Sequence, residues 1–325
     1  MPTVSASFVQ SETVAGLLET ARAHLRNHGG ASEADSVRVD TEMLLAHVLQ
    51  CGRSWLFARG DERVDLPRRL RFADVVEQRA SGMPLAYILG TAWFYGRAFK
   101  VTRAVLIPRP ETEHLIDEAI AFLRRRDRRL DDEYQRKNAP VILDVGTGSG
   151  AIAITLAAEF PGATVYATET SSEALEVARH NARVIASVEN AVSGVEASTS
   201  GHCSTANIRF EHADLLPSDP SPRFDVVLAN LPYIPSADVP QPPNPTAFEP
   251  QAALDGGIDG LTQYRRLFER LPSRLSSDAL VLLEAAPPTI AALRDLATTM
   301  FTNATIIVGK DYAGLDRLIA ITSIQ

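Results

Sequence analysis

The sequence predicts an α/β protein in which a doubly wound sheet follows a small helical domain and a β-hairpin. Roughly the first eighty residues place apolar side chains at three- and four-residue spacings, the signature of helices with one buried face. Beyond Val141, short apolar runs alternate with helical stretches, which implies right-handed βαβ units around a parallel sheet. A glycine-rich turn, Gly146-Thr147-Gly148-Ser149-Gly150, joins the first of those runs to the helix after it.

Taken in order, Val14 to Leu25, Val37 to Leu49 and Leu66 to Arg79 read as helices with Ser and Asp residues available as caps, and residues 1–85 as one helical domain. Ala86 to Leu106 alternates more like strands and contains the breaker Gly90, so residues 86–109 are expected to form a β-hairpin linker. From Pro110 a helix leads into the sheet domain, 110–325. Its basic end, Arg124 to Arg126 with Arg128 and Arg129, is interrupted by Asp127, Asp131, Asp132 and Glu133 and reads as a solvated helix end before a linker. The strands expected next are Val141 to Leu143, Thr164 to Thr168, Asn207 to Phe210 and Phe224 to Ala229, with a helix over Ala151 to Ala158. Ala186 to Ala206 lacks periodicity where a short connection belongs, and reads as a flexible insertion. Its His202 and Cys203 lack the further ligands a metal needs. The Pro-rich stretch Pro235 to Pro250 is either a pocket wall or an extended surface loop.

Composition narrows the function classes. With 325 residues, 45% hydrophobic and 22% charged, the chain can bury one large or two modest cores. It has no run of about twenty apolar residues to span a bilayer, and Met1 to Gly16 lacks both a basic residue and a signal-type apolar core. Two cysteines, Cys51 and Cys203, give neither a disulfide framework nor a zinc site, and a reducing, cytoplasmic setting is expected. From Pro140 to the C-terminus there are 11 Lys and Arg against 21 Asp and Glu. Such an acidic half is ill suited to gripping a phosphate backbone, which is bound chiefly by Lys and Arg; a basic protein partner fits better.

The chemistry is concentrated in Asn230-Leu231-Pro232-Tyr233, directly after the apolar run Phe224 to Ala229. A planar nitrogen, of an amide or an exocyclic amine, is a poor nucleophile because its lone pair is delocalised. The Asn230 side-chain oxygen and the Leu231 carbonyl can accept its two N–H bonds and aim the lone pair at an electrophile, while the Tyr233 ring covers one face. Alone, the tetrapeptide reads more simply as a strand stop at Pro232. The glycine loop lets backbone approach a ligand without intervening Cβ atoms. Glu169, about twenty residues further on, stands where an acidic side chain binds ribose hydroxyls, or where it caps a helix before Ser171 and Ser172. Asp214 can meet an adenine amino group with Leu215 against the base. Each follows a successive expected strand, at the edge where open α/β sheets bind ligands.

These residues, with others, resemble the protein-(glutamine-N5) methyltransferases of peptide chain release factors, the HemK/PrmC family. The resemblance runs from about Val37 to Ile321. It includes Arg38-Val-Asp40-Thr-Glu42, Pro84-Leu-Ala-Tyr87-Ile-Leu-Gly90, Phe94-Tyr95-Gly96 and Leu106-Ile-Pro108-Arg109-Pro110-Glu111-Thr112-Glu113. Further on it takes in Phe248-Glu249-Pro250, Ala253-Leu254-Asp255-Gly256-Gly257, Asp259-Gly260-Leu261 and Lys310-Asp311-Tyr312-Ala313-Gly314-Leu315-Asp316-Arg317. Leu231 stands where the family usually has Pro and Glu169 where it usually has Asp; the first keeps a backbone carbonyl, the second its charge.

The resemblance implies a Rossmann-like class I fold using S-adenosyl-L-methionine. Gly146, Thr147, Gly148, Ser149 and Gly150 would receive the methionine moiety, Glu169 the ribose, and Asp214 with Leu215 the adenine. Asn230, next to the cofactor, would anchor the amide of the glutamine in the Gly-Gly-Gln motif of a class 1 release factor, which the helical domain docks. Phe94 and Tyr95 would close the pocket and Arg109 with Glu111 order its entry, unless these four serve packing and capping. A monomer is expected, with no metal, nucleic acid or membrane partner. Two rivals stand: a methyltransferase acting on exocyclic amines of adenine or guanine in nucleic acid, and a noncatalytic cofactor-binding relative that has lost turnover through Leu231.

Overall fold

The computed structural model describes residues 6–28, 34–127, 139–193 and 207–322. They fall into two compact units, one formed by the chain up to Thr91 together with Pro240–Phe248, the other by Ala92–Val239 and the chain from Glu249 onward.

The first unit is helical: α1 (Ala6–Gln10), α2 (Val14–His28), α3 (Ala34–Leu49), α4 (Arg53–Ala58), α5 (Leu66–Ala80) and α6 (Leu85–Leu89). The spacing read from the sequence becomes a core in which Leu17, Leu44, Leu45, Phe72 and Val76 are fully buried. α5 starts where Asp65 accepts the Arg68 N–H at 2.9 Å. Glu42 is buried and held by Arg22, Arg38 and Arg53 at 3.2, 3.4 and 2.5 Å, the pairing a buried charge requires. Part of the Pro-rich stretch, Pro240–Phe248, belongs to this unit, a long-range association with no local sequence signal.

The stretch expected to open the hairpin differs from expectation. Leu85–Leu89 is the short helix α6, ended by Gly90 in the left-handed region with φ 71°. Five apolar residues carry too little periodicity to separate strand from helix. The hairpin is the shorter pair β1 (Thr91–Phe94) and β2 (Arg97–Lys100). Its turn, Tyr95-Gly96, has positive φ at both residues (49° and 73°), the backbone twist that suits a two-residue hairpin.

In the second unit a short 3₁₀ turn, Pro110–Thr112, leads into α7 (Glu113–Asp127). The sheet comprises β3 (Val141–Val145), β4 (Thr164–Glu169), β5 (Ile208–His212), β6 (Phe224–Ala229), β7 (Leu275–Glu284), β8 (Thr305–Lys310) and β9 (Asp316–Thr322). The strand order is β5-β4-β3-β6-β7-β9-β8, with β3 to β7 parallel and β9 antiparallel to both β7 and β8. α7, α8 (Ala151–Glu159) and α9 (Ser172–Ser193) belong with the core on one face; α10 (Thr262–Arg270) and α11 (Pro287–Met300) belong with the core on the other. α9 runs to Ser193, so the opening of the expected insertion is helix; 194–206, with His202 and Cys203, lies outside the described residues. Arg128, Arg129, Asp131, Asp132 and Glu133 lie outside them too. Arg126 is not simply solvated: it pairs with Asp225 at 2.9 Å, whose other oxygen accepts the Val141 N–H at 2.8 Å. No helix among the described residues is long and apolar enough to cross a membrane.

Candidate active site

The chain winds outward from β3 through β4 to β5, then crosses back to place β6 on the other side of β3. At that switch point Val145 lies opposite Ala229, so the turns after β3 and β6 open side by side. They share a cleft of about 290 Å³, at the small end for ligand pockets.

The glycine loop is tied to β4 by the N–H groups of Gly146 and Thr147, both donating to the Thr168 carbonyl at 2.9 Å. Gly148 has φ 54°, and a Cβ there would meet only the Gly146 carbonyl, at 4.0 Å, so this backbone is open to a ligand. Gly150 does not line the cleft. It starts α8, where a Cβ would come within 2.7 Å of Ile154 and 3.2 Å of Ala178, so it allows α8 and α9 to pack closely. Beneath the loop, buried Asp144 accepts the Thr147 hydroxyl at 2.6 Å and the Ala153 N–H at 3.1 Å. Burial pushes its carboxyl up to about 7; those two hydrogen bonds pull it down and Glu169 adds to the rise.

Glu169, at the end of β4, lines the cleft. One oxygen accepts the Gly148 N–H at 2.9 Å and the other the N–H groups of Thr170 and Ser171 at 2.8 and 3.0 Å. It therefore braces the approach to α9, the capping role the sequence left open, while facing the cleft. Asp214 and Leu215 line the same cleft after β5. Asp214 Oδ2 is approached by Arg266 at 2.5 Å and Arg270 at 3.3 Å, both from α10. Leu215 holds a positive φ of 65°, its carbonyl accepting the Thr168 hydroxyl at 2.7 Å.

After β6, the Asn230 Nδ2 donates to the Thr112 hydroxyl at 3.1 Å, leaving Oδ1 as the acceptor end of the amide. Leu231 is buried, and its side chain lies 3.2 Å from the position of a Cβ on Gly146. The Tyr264 hydroxyl directs its one hydrogen between the Leu231 carbonyl, at 3.3 Å, and the closer Glu284 carbonyl. Asn230, Leu231 and Pro232 line the cleft; Tyr233 does not. The Tyr233 ring packs against the core beside α10 and α11, and burial pushes its phenol up to about 12. It supports the turn from behind and does not cover a face of the cleft.

Two residues expected to close the pocket serve elsewhere: Phe94 is fully buried in the core and the Tyr95 hydroxyl donates to Asp117 at 3.0 Å. Arg109 does line the cleft and pairs with buried Glu249, which also accepts the Ile107 N–H at 3.1 Å. Sequence reasoning missed Asp144, Thr112, Tyr264, Arg266 and Glu284 as parts of the site. Asp144 had a signal in its place before the glycines; the others reach the site only through long-range packing.

A doubly wound sheet of this order, with a glycine loop, an acidic residue after the second strand and an Asn-x-Pro-Tyr turn after the fourth, defines a class I methyltransferase. Residues 142–242 match a methyltransferase domain model, and residues 16–90 match the model of the PrmC N-terminal domain. The chain is 37% identical over 284 residues to the release factor glutamine methyltransferase of Neisseria gonorrhoeae, covering 86% of this chain and 92% of that one. The enzyme of the same name from Bacillus anthracis is 35% identical over 281 residues (86% and 90%). That of Rhodopirellula baltica is 33% identical over 310 residues, 95% of each chain. The chain belongs to the release factor glutamine methyltransferases.

Proposed function

We propose that this protein transfers the methyl group of S-adenosyl-L-methionine to the side-chain amide nitrogen of the glutamine in the Gly-Gly-Gln motif of class 1 peptide chain release factors. One observation carries the reading: Gly146 to Ser149 of the glycine loop, Glu169, Asp214 with Leu215, and Asn230 all line a single cleft. The open backbone at Gly148 fits a ligand lying over the loop. Gly146 to Ser149 would hold the methionine part, with Gly150 closing the turn behind them, Glu169 the ribose, and Asp214 with Leu215 the adenine. When bound, the cofactor supplies a sulfonium whose methyl is already electrophilic.

The chain's own task is to make an amide nitrogen nucleophilic. Asn230 Oδ1 accepts one amide hydrogen. The Leu231 carbonyl, which has a second lone pair beside the one facing Tyr264, accepts the other. Both acceptors keep electron density on nitrogen and stabilise the positive charge that develops there, an effect strengthened when the cleft is closed to water. The surplus proton leaves after transfer. A monomer acting in the cytoplasm belongs to the same proposal, the location following from the proposed release-factor substrate.

Mass spectrometry of a release factor incubated with the protein and isotopically labelled S-adenosyl-L-methionine tests this reading. The expected product carries one methyl group, on the glutamine of the Gly-Gly-Gln motif. A label found on another residue, or no transfer by a protein that binds the cofactor, would contradict it.

A further inference from the structure

Glu284 closes β7 directly beside the reacting turn. β6 and β7 are parallel neighbours with Ala229 opposite Leu283, so Asn230 and Glu284 occupy adjacent positions one residue further along. Glu284 is 1% exposed and Thr112, between them, 5%. Asn230 Nδ2 donates to the Thr112 hydroxyl at 3.1 Å, and both side chains stand close enough to the Glu284 carboxyl to favour its charged form. Its Oε2 has no hydrogen-bond partner among the described residues.

An Asn amide can present either its oxygen or its NH₂ to a ligand, and the two ends are nearly the same size. What distinguishes them is the partner behind. A carboxylate only accepts; a threonine hydroxyl donates once and accepts. With a carboxylate at the end of the chain, Thr112 must donate toward Glu284 and accept from Asn230. The NH₂ of Asn230 is thereby held inward and Oδ1 turned to the cleft. We propose that Glu284, partly through Thr112, is the positioning residue that fixes the orientation of the Asn230 amide, so that only its oxygen meets the substrate. The proposal rests on the reading that Asn230 accepts an amide N–H.

The charge state matters to this polarity. Burial pushes the Glu284 carboxyl up to about 7; Thr112, Arg317 and Asn230 pull it down, while Glu111 adds to the rise. Tyr233 and Tyr264 are the other titratable groups against it, and both stay neutral in this range. Above the midpoint the carboxylate enforces the orientation. Below it a protonated carboxyl can donate to Thr112 and allow the chain to reverse.

The test uses Glu284→Gln, which keeps size but introduces a donor, and Thr112→Val, with Thr112→Ser retaining the hydroxyl. The first readout needs no substrate: the side-chain amide resonances of Asn230, assigned by their loss in Asn230→Ala. In the parent they should be displaced and slow to exchange; in Glu284→Gln or Thr112→Val they should lose that protection. The second is single-turnover methylation of a release factor. Glu284→Gln should be slower by roughly tenfold or more at pH 8, with S-adenosyl-L-methionine affinity within about twofold, and should lose the parental rise in rate through about pH 7. Thr112→Ser should recover most of the rate lost in Thr112→Val. Unchanged Asn230 resonances in both variants, or a parental rate and pH profile in Glu284→Gln, would overturn the proposal. A parent that methylates no release factor would defeat the functional reading instead, and the resonances would still decide the positioning role.

Discussion

Two positions, Gly148 and Asn230, divide the site into binding and chemistry. Gly148 offers its backbone to the cleft, donating its N–H to Glu169 at 2.9 Å, so Gly148→Val places a branched side chain in ligand space at a φ of 54° that such residues avoid. Calorimetry should show loss of S-adenosyl-L-methionine binding by a folded Gly148→Val protein. Glu169→Ala should weaken it by about 1.5 to 3 kcal/mol, the range for a hydrogen bond to a charged group. Asn230 belongs to the chemistry. Asn230→Ala should leave cofactor affinity nearly intact and lower single-turnover methylation of a release factor by about a hundred- to thousandfold, the effect of removing a comparable oriented polar group. Asp144 makes a different prediction. Its carboxyl is raised in the fold from 3.8 to about 7 by burial, so the folded state binds a proton more tightly than the unfolded chain. That contribution to stability is fully present below about pH 4 and is lost as pH rises through 7. Glu284 acts in the same direction, from 4.5 to about 7. Denaturant titrations should therefore show Asp144→Asn losing less stability between pH 4.5 and 8 than the parent.

The elements that carry the site are held by backbone-to-backbone fits that only small residues permit. Gly260, in the loop before α10, has φ 76°, and a Cβ there would stand 2.3 Å from the Tyr233 carbonyl. Gly260→Ala should lower stability by about 1 to 3 kcal/mol and reduce turnover by displacing the turn after β6. Gly162→Ala, with nothing within 4 Å of its added Cβ, should do neither in the same thermal melts and assays. The strands β3 to β6 were legible because each is a short run with apolar residues that leads into its site residue, whereas β7, β8 and β9 were not read individually. Asn230, Glu169 and the glycine loop could be placed from the sequence for that reason. α6 was not legible, being five apolar residues without a resolved period. Nor were the partners behind Asn230: Thr112 precedes it by 118 residues in sequence, and nothing local to either marks the contact. The inward turn of Tyr233 was hidden likewise, since a tyrosine after a proline suits a cleft wall and a core equally.

Over the whole molecule, the charge balance bears on which partner can approach. The part from Pro140 onward has 21 acidic residues against 11 basic ones, and several of those arginines are already spent on carboxylates, as Arg266 and Arg270 are on Asp214. A nucleic-acid substrate would need a basic stripe to hold its phosphates; a protein loop presenting one glutamine does not. The same Asn-x-Pro-Tyr turn can receive an amide or a base amine, so the choice rests on what is delivered to it. The most direct measurement offers a release factor, structured RNA and duplex DNA together to the protein with labelled S-adenosyl-L-methionine, and counts where the methyl goes. The account predicts that the label enters the release factor alone, at one glutamine. Methylated adenine or guanine as the main product, with the release factor unlabelled, would contradict it.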